Sequence, residues 1–152
     1  MATGVKTSLR TTREAVVRTH MAAENRRDVA ATLATFGEPN YDVVAFGAPS
    51  NGAMAVSELL SGLFEAFPDF RVEALSIHHG DDIIFVDTMC YGTHRGTWAG
   101  VPATGRSIQL RTGCVFHFAA ERLIRETVYF DHATLLAQIG VSGAAPGTIG
   151  SL

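Results

Sequence analysis

The chain has 152 residues, a length suited to one domain with a fair core. Hydrophobic residues make up 47% and charged residues 18%, which excludes a disordered chain, and a net charge of −3 without a basic cluster argues against a nucleic-acid surface. No apolar run approaches the ~20 residues that span a bilayer, and the first residues lack the apolar core of a signal peptide, so a soluble, cytoplasmic protein is expected.

In chain order, residues 1–10 read as a loose, flexible leader. Thr11 and Glu14 form a capping box that predicts the start of a first helix, running to about Asn25 with Val17, His20, Met21 and Glu24 on one stripe. Asp28 is placed to cap a short second helix carrying Val29, Leu33 and Phe36 on one side. Residues 41–46 read as a short strand, closed by a turn-rich stretch. Val56, Leu59, Leu60, Leu63, Phe64 and Phe67 fall at helical spacing, and Pro68 ends this third helix. From residue 70 the period changes to two. Strands are predicted over 70–79, 83–94, 107–118 and 122–130, with a turn at Gly80-Asp81-Asp82 and a polar, Gly-rich loop over 95–106. Asp131 then sits where an N-cap belongs, Leu135, Leu136 and Ile139 follow at helical spacing, and Gly140 fits the stop. The small-residue tail 141–152 is expected to be flexible or to pack on a partner subunit.

Strands gathered after helices predict an α+β fold. The expected architecture is a cone-shaped, curved antiparallel sheet packed with three N-terminal helices and a short C-terminal helix, a single domain over residues 11–140. Its concave side is a natural small-molecule pocket. In the last strand, Ile124, Glu126, Val128 and Phe130 share the apolar face. A carboxylate on that face needs a partner or a purpose, so Glu126 is a candidate base, with an ion pair to a neighbouring Arg or His as the plain alternative. Val128 and Phe130 would line the same wall.

Other candidates follow from position. His94 ends one long strand and could orient a carboxylate or polarise an enolate oxygen; His117, of the parity opposite Phe116 and Phe118, has a weaker claim and is expected to face outward or the helices. Trp98 and Tyr41 could contact a flat ligand, and His20 could close the pocket from the helix side. The plain readings are a dimer contact for Trp98 and core packing for Tyr41 and His20. Cys90 and Cys114 lie in separate apolar strands and read as buried thiols. The histidines show no repeated spacing, and no metal site is expected.

The run YGTHRGTWAGVPATGRSIQLR, followed by VFHFAAERLIRETVYFDHATLLAQIG, resembles the SnoaL-like polyketide cyclases of the nuclear-transport-factor-like superfamily, alongside ketosteroid isomerases, limonene epoxide hydrolases and scytalone dehydratases. The resemblance covers about residues 17–140. It implies the nuclear-transport-factor-like α+β barrel and an intramolecular aldol ring closure, or an isomerisation, without metal or cofactor. The aspartate before the last helix is the family's general acid/base, and Asp131 matches its position. Many relatives carry His-Trp-Asp where this chain has Glu126-Thr127-Val128, so the chemistry that needs a carboxylate at position 128 has no residue here. The expected partner is an apolar, carbonyl-bearing small molecule. A non-catalytic binding or interaction module on the same fold is the alternative. A homodimer through the outer sheet face, with Val115 beside Val86 or Thr88, is also expected.

Overall fold

The structure is a computed structural model that describes residues 2–141 and 143, and side chains from residue 8 onward. Its elements run α1 (Ala2–Asn25), α2 (Val29–Leu33), β1 (Asn40–Val43), β2 (Ser50–Asn51), α3 (Gly52–Ala66), β3 (Arg71–His79), β4 (Ile83–Thr93), β5 (Ser107–Ala119), β6 (Arg122–Phe130) and α4 (His132–Gln138). The sheet order is β2-β1-β6-β5-β4-β3. The fold is the expected α+β one, with two differences in the sheet. It is mixed, because β1 lies parallel to β6 while the neighbours from β3 to β6 pair antiparallel. It is also open, with β2 and β3 as its edges, and it curls through bulges between Ala74 and Ser76 and between His117 and Phe118.

The second bulge corrects the expected face of β6. Phe118 pairs with Leu123 and His117 with Arg125, so Ile124 is the extra residue and turns outward, 40% exposed. Beyond it the alternation resumes as read, with Glu126 inward. The outer-face partner of Val115 is also corrected. Val86 and Thr88 are fully buried on the concave side, and Phe85 is the residue opposite Val115.

Helix α1 begins at Ala2, so 2–10 is helical rather than a loose leader, and the Thr11–Glu14 pair lies inside the helix. Thr12 Oγ1 bonds back to the carbonyl of Ser8, the local bond a mid-helix hydroxyl makes when it is not a cap. The tail expected over 141–152 falls almost wholly outside the described residues.

Two side chains fix α1 across the sheet. Buried Arg13 donates to the carbonyls of Ala120 (2.7 Å) and Asp81 (2.6 Å), tying the helix to both hairpin turns at one end. Asn25 at the other end donates to the Val72 carbonyl and accepts from the Val72 N–H, acting as a short surrogate strand on β3. His20 and Glu24 lie between these anchors, one turn apart and facing the sheet.

Helix α3 closes the concave side. Val56, Leu60, Ala66 and Phe67 are buried, and each larger side chain contributes on the order of 1.5–3 kcal/mol of transfer free energy. The expected strand 41–46 stops at Val43; residues Val44–Phe46 form a 3-10 turn closed by Gly47 at φ 79°. That turn brings Phe46 to the open end of the concave surface.

Candidate active site

The curled sheet, α3 and α4 enclose a cavity of about 110 Å³. Its wall is nearly all apolar: Leu59, Leu60, Leu63, Phe67, Phe70, Ile108, Leu110 and Leu135, with Val128, Phe130, Trp98, Cys90 and Cys114. Phe46, 42% exposed, marks the mouth. Three ionisable oxygen groups face in at the other end: Glu24, Tyr41 and Glu126.

The sheet register assembles this end. Tyr41 of β1 is the parallel neighbour of Glu126 in β6, and Phe116 of β5 flanks Glu126 on its other side. His20 and Glu24 come down from α1. Tyr41 Oη donates to Glu24 Oε1 at 2.5 Å, and His20 Nε2 lies 2.8 Å from Tyr41 Oη, 2.9 Å from Glu126 Oε2 and 3.5 Å from Glu24 Oε1. Phe36 and Phe116 meet the His20 ring edge-on, each at 5.4 Å. All four polar residues are buried.

The hydrogen bonds fix the charge of His20. Thr35 gives its hydroxyl proton to the Thr32 carbonyl, so its oxygen must accept from His20 Nδ1–H, 2.7 Å away. Tyr41 spends its proton on Glu24, so its oxygen must accept from His20 Nε2–H. Both ring nitrogens therefore carry protons, and the ring is an imidazolium. Burial opposes that charge, but Glu126 and Glu24 outweigh it and hold the His20 pKa up at about 10. Burial, with Glu126 and Glu24, also pushes the Tyr41 pKa well above the ordinary value, which keeps the phenol a donor.

Glu126 stands differently. One N–H cannot point at both Tyr41 and Glu126, and Tyr41 takes it. Glu126 Oε2 has a cation 2.9 Å away yet no directed hydrogen-bond donor among the described residues. Burial raises its pKa first, the Glu24 charge adds to this, and His20 only partly reverses it. The result is a carboxylate in an apolar wall, held as a stronger base than a free glutamate.

The ligand atoms of His20, Glu24 and Glu126 lie within 4.8 Å of one another, spacing that could hold a metal ion. As arranged, however, His20 offers no lone pair, because both nitrogens act as donors.

Of the residues singled out from sequence, Glu126, Tyr41, Val128, Phe130 and Trp98 line the cavity, and His20 backs its polar end. Three others stand elsewhere. Asp131 is exposed and caps α4, accepting from Thr134 N–H at 3.1 Å and Thr134 Oγ1 at 2.6 Å, and these bonds lower its pKa. It does not line the cavity. A carboxylate so held is a weak base, the opposite of what proton abstraction asks for. His117 lies on the outer sheet face, 3.1 Å from Thr127 Oγ1. His94 is fully buried against Phe67, behind the wall rather than in it. Sequence reading left out Glu24, although its place one turn after His20 on the buried stripe was visible.

The fold is shared with solved structures. A protein from Jannaschia sp. CCS1 assigned as a SnoaL-like polyketide cyclase superposes with a TM-score of 0.79 at 18% identity, over 90% of this chain and 94% of that one. IdmH from Streptomyces antibioticus, assigned as a polyketide cyclase, gives 0.70 at 21% identity, over 85% and 99%. AclR from Streptomyces galilaeus, assigned as a hydroxylase, gives 0.73 at 22% identity, over 84% and 95%. No curated protein matches the chain. The sequence pattern of the SnoaL-like polyketide cyclases matches residues 14–139, which spans the apolar cavity and every residue of its buried acid–base cluster, and the chain belongs to that family.

Proposed function

We propose that the protein is an acid–base enzyme, a cyclase or isomerase that moves a proton on an apolar, carbonyl-bearing small molecule, with Glu126 as the base. The observation that carries this reading is the orphaned Glu126 Oε2 in the wall of an otherwise apolar cavity. Glu126 removes a proton from the carbon beside a carbonyl and later returns it. In a cyclase the enolate carbon attacks a second carbonyl of the same molecule in between, forming the ring bond while that carbonyl oxygen takes up a proton. The His20 imidazolium steadies the glutamate when it is ionised, and Tyr41 with Glu24 keeps His20 charged and oriented. Water is kept out by the aliphatic wall, which strengthens each of these interactions.

The test is α-proton exchange of a small cyclic ketone in D2O, followed by NMR. The protein should accelerate exchange, and Glu126→Gln should slow it by about 10²–10⁴-fold. Full exchange by Glu126→Gln defeats the assignment of the base. No exchange by the unaltered protein favours the second reading, a binding module, which the aliphatic Val128 in the wall supports. We also propose pairing of two copies through the outer sheet face around Phe85 and Val115; a strictly monomeric profile in size-exclusion chromatography at micromolar concentration would remove this.

A further inference from the structure

The cavity has unpaired polar atoms at both ends. One is Glu126 Oε2. Beyond it, the buried side-chain atoms without a partner among the described residues are ring nitrogens of His94, Trp98 and His132. Two of these belong to one short loop. Trp98 Nε1 carries its hydrogen in every state, and the ring lines the cavity. His94 turns its Nδ1 to Thr104, 3.0 Å from the hydroxyl and 3.3 Å from the backbone N–H. Both rings pack on Phe67, with centroids 5.6 Å away for His94 and 5.5 Å for Trp98. The Trp98 N–H thus sits beside a wall residue with no acceptor among the described residues, while His94 lies behind that residue.

The loop that carries them is well anchored. Arg95 and Gly96 N–H both bond to the Ala66 carbonyl at the end of α3. Trp98 and Val101 exchange backbone hydrogen bonds across a tight turn, with Ala99 at φ 47° and Gly100 at φ 77°. The His94 backbone donates to the Arg106 carbonyl and accepts from the Gly105 N–H. A loop pinned this firmly around an unbonded buried donor calls for an acceptor.

We propose that Trp98 Nε1–H is a donor subsite for an oxygen of the ligand. The ligand class is then an apolar molecule with a carbonyl or enolate oxygen at the loop end of the cavity. Seating the acidic carbon of the same molecule toward Glu126 rests on the acid–base reading above; the subsite itself does not. In that reading the indole N–H meets the oxygen on which charge develops as the α-proton leaves.

The chain has one tryptophan, so Trp98 gives the single indole N–H resonance of the protein. The experiment compares cyclohexanone with methylenecyclohexane, which has the same outline but no oxygen, on protein labelled with ¹⁵N. Cyclohexanone should move the indole proton downfield and the hydrocarbon should not. Ketone affinity should fall about tenfold in Trp98→Phe, while hydrocarbon affinity stays level. Equal responses to the two probes overturn the subsite, as does silence to both up to their solubility limits. Glu126→Gln separates the two ideas. If it keeps both the ketone-dependent shift and full exchange activity, the base assignment falls and the subsite stands.

Discussion

Glu126 lies within the last strand and Asp131 caps the helix that follows it, close in sequence, yet they live in different chemical worlds. Glu126 sits in an apolar wall with a cation beside it and no directed donor to its Oε2 among the described residues; Asp131 sits in water with two donors from Thr134. Burial lifts the first pKa, while hydrogen bonds depress the second. The contrast shows that a carboxylate's usefulness as a base is set by what its surroundings withhold. An acid that already has all its hydrogen bonds has little appetite for a substrate proton.

The contrast can be broken most directly by activity. Glu126→Gln should lose about 10²–10⁴-fold in exchange rate, and Asp131→Asn should stay within about twofold of the unaltered protein. The reverse order would transfer the base to the helix cap.

The next effect concerns the loop rather than the acids. A Cβ at Gly96 would lie 2.3 Å from the Glu65 carbonyl oxygen, a backbone atom that cannot swing aside. Gly96→Ala should cost about 1–3 kcal/mol in urea unfolding and alter Trp98 fluorescence. Unchanged stability would mean the loop does not dock on α3 as described.

A pH series sharpens the buried side. The folded His20 pKa of about 10 lies above its ordinary 6.5. Its contribution to stability is therefore complete below about pH 6.5 and lost as pH climbs through 10. Urea midpoints should fall over that window, and the fall should flatten in His20→Gln. The smallest effect belongs to the cap: Asp131→Ala should lower Tm by about 2–4 °C, with activity kept.

Much of the fold could be read from residues because its signals are local. The long strands β4 to β6 fall within a residue or so of their predicted limits, since period two over nine or more residues leaves little freedom. The α3 stripe and the Asp28 and Asp131 caps were equally plain. What escaped was non-local. Nothing in residues 40–43 announces a parallel partner in β6, and nothing near Ile124 announces a bulge, because each depends on a strand elsewhere in the chain. The site divides the same way. Glu126 was legible from parity alone. Its company was not: the His20–Glu24 pair looks like any buried helical turn until the sheet places Tyr41 and Glu126 beneath it. Asp131 drew attention through family position, yet its cap pattern described what the structure shows it doing.

The pairing of Tyr41 with Glu126 also constrains how the molecule comes into being. One partner belongs to the first strand made and the other to the last. During synthesis β1 has no parallel neighbour until residues 122–130 have emerged. A fragment that stops before residue 126 keeps Tyr41, His20 and Glu24 but lacks the carboxylate proposed as the base, whatever its helices do.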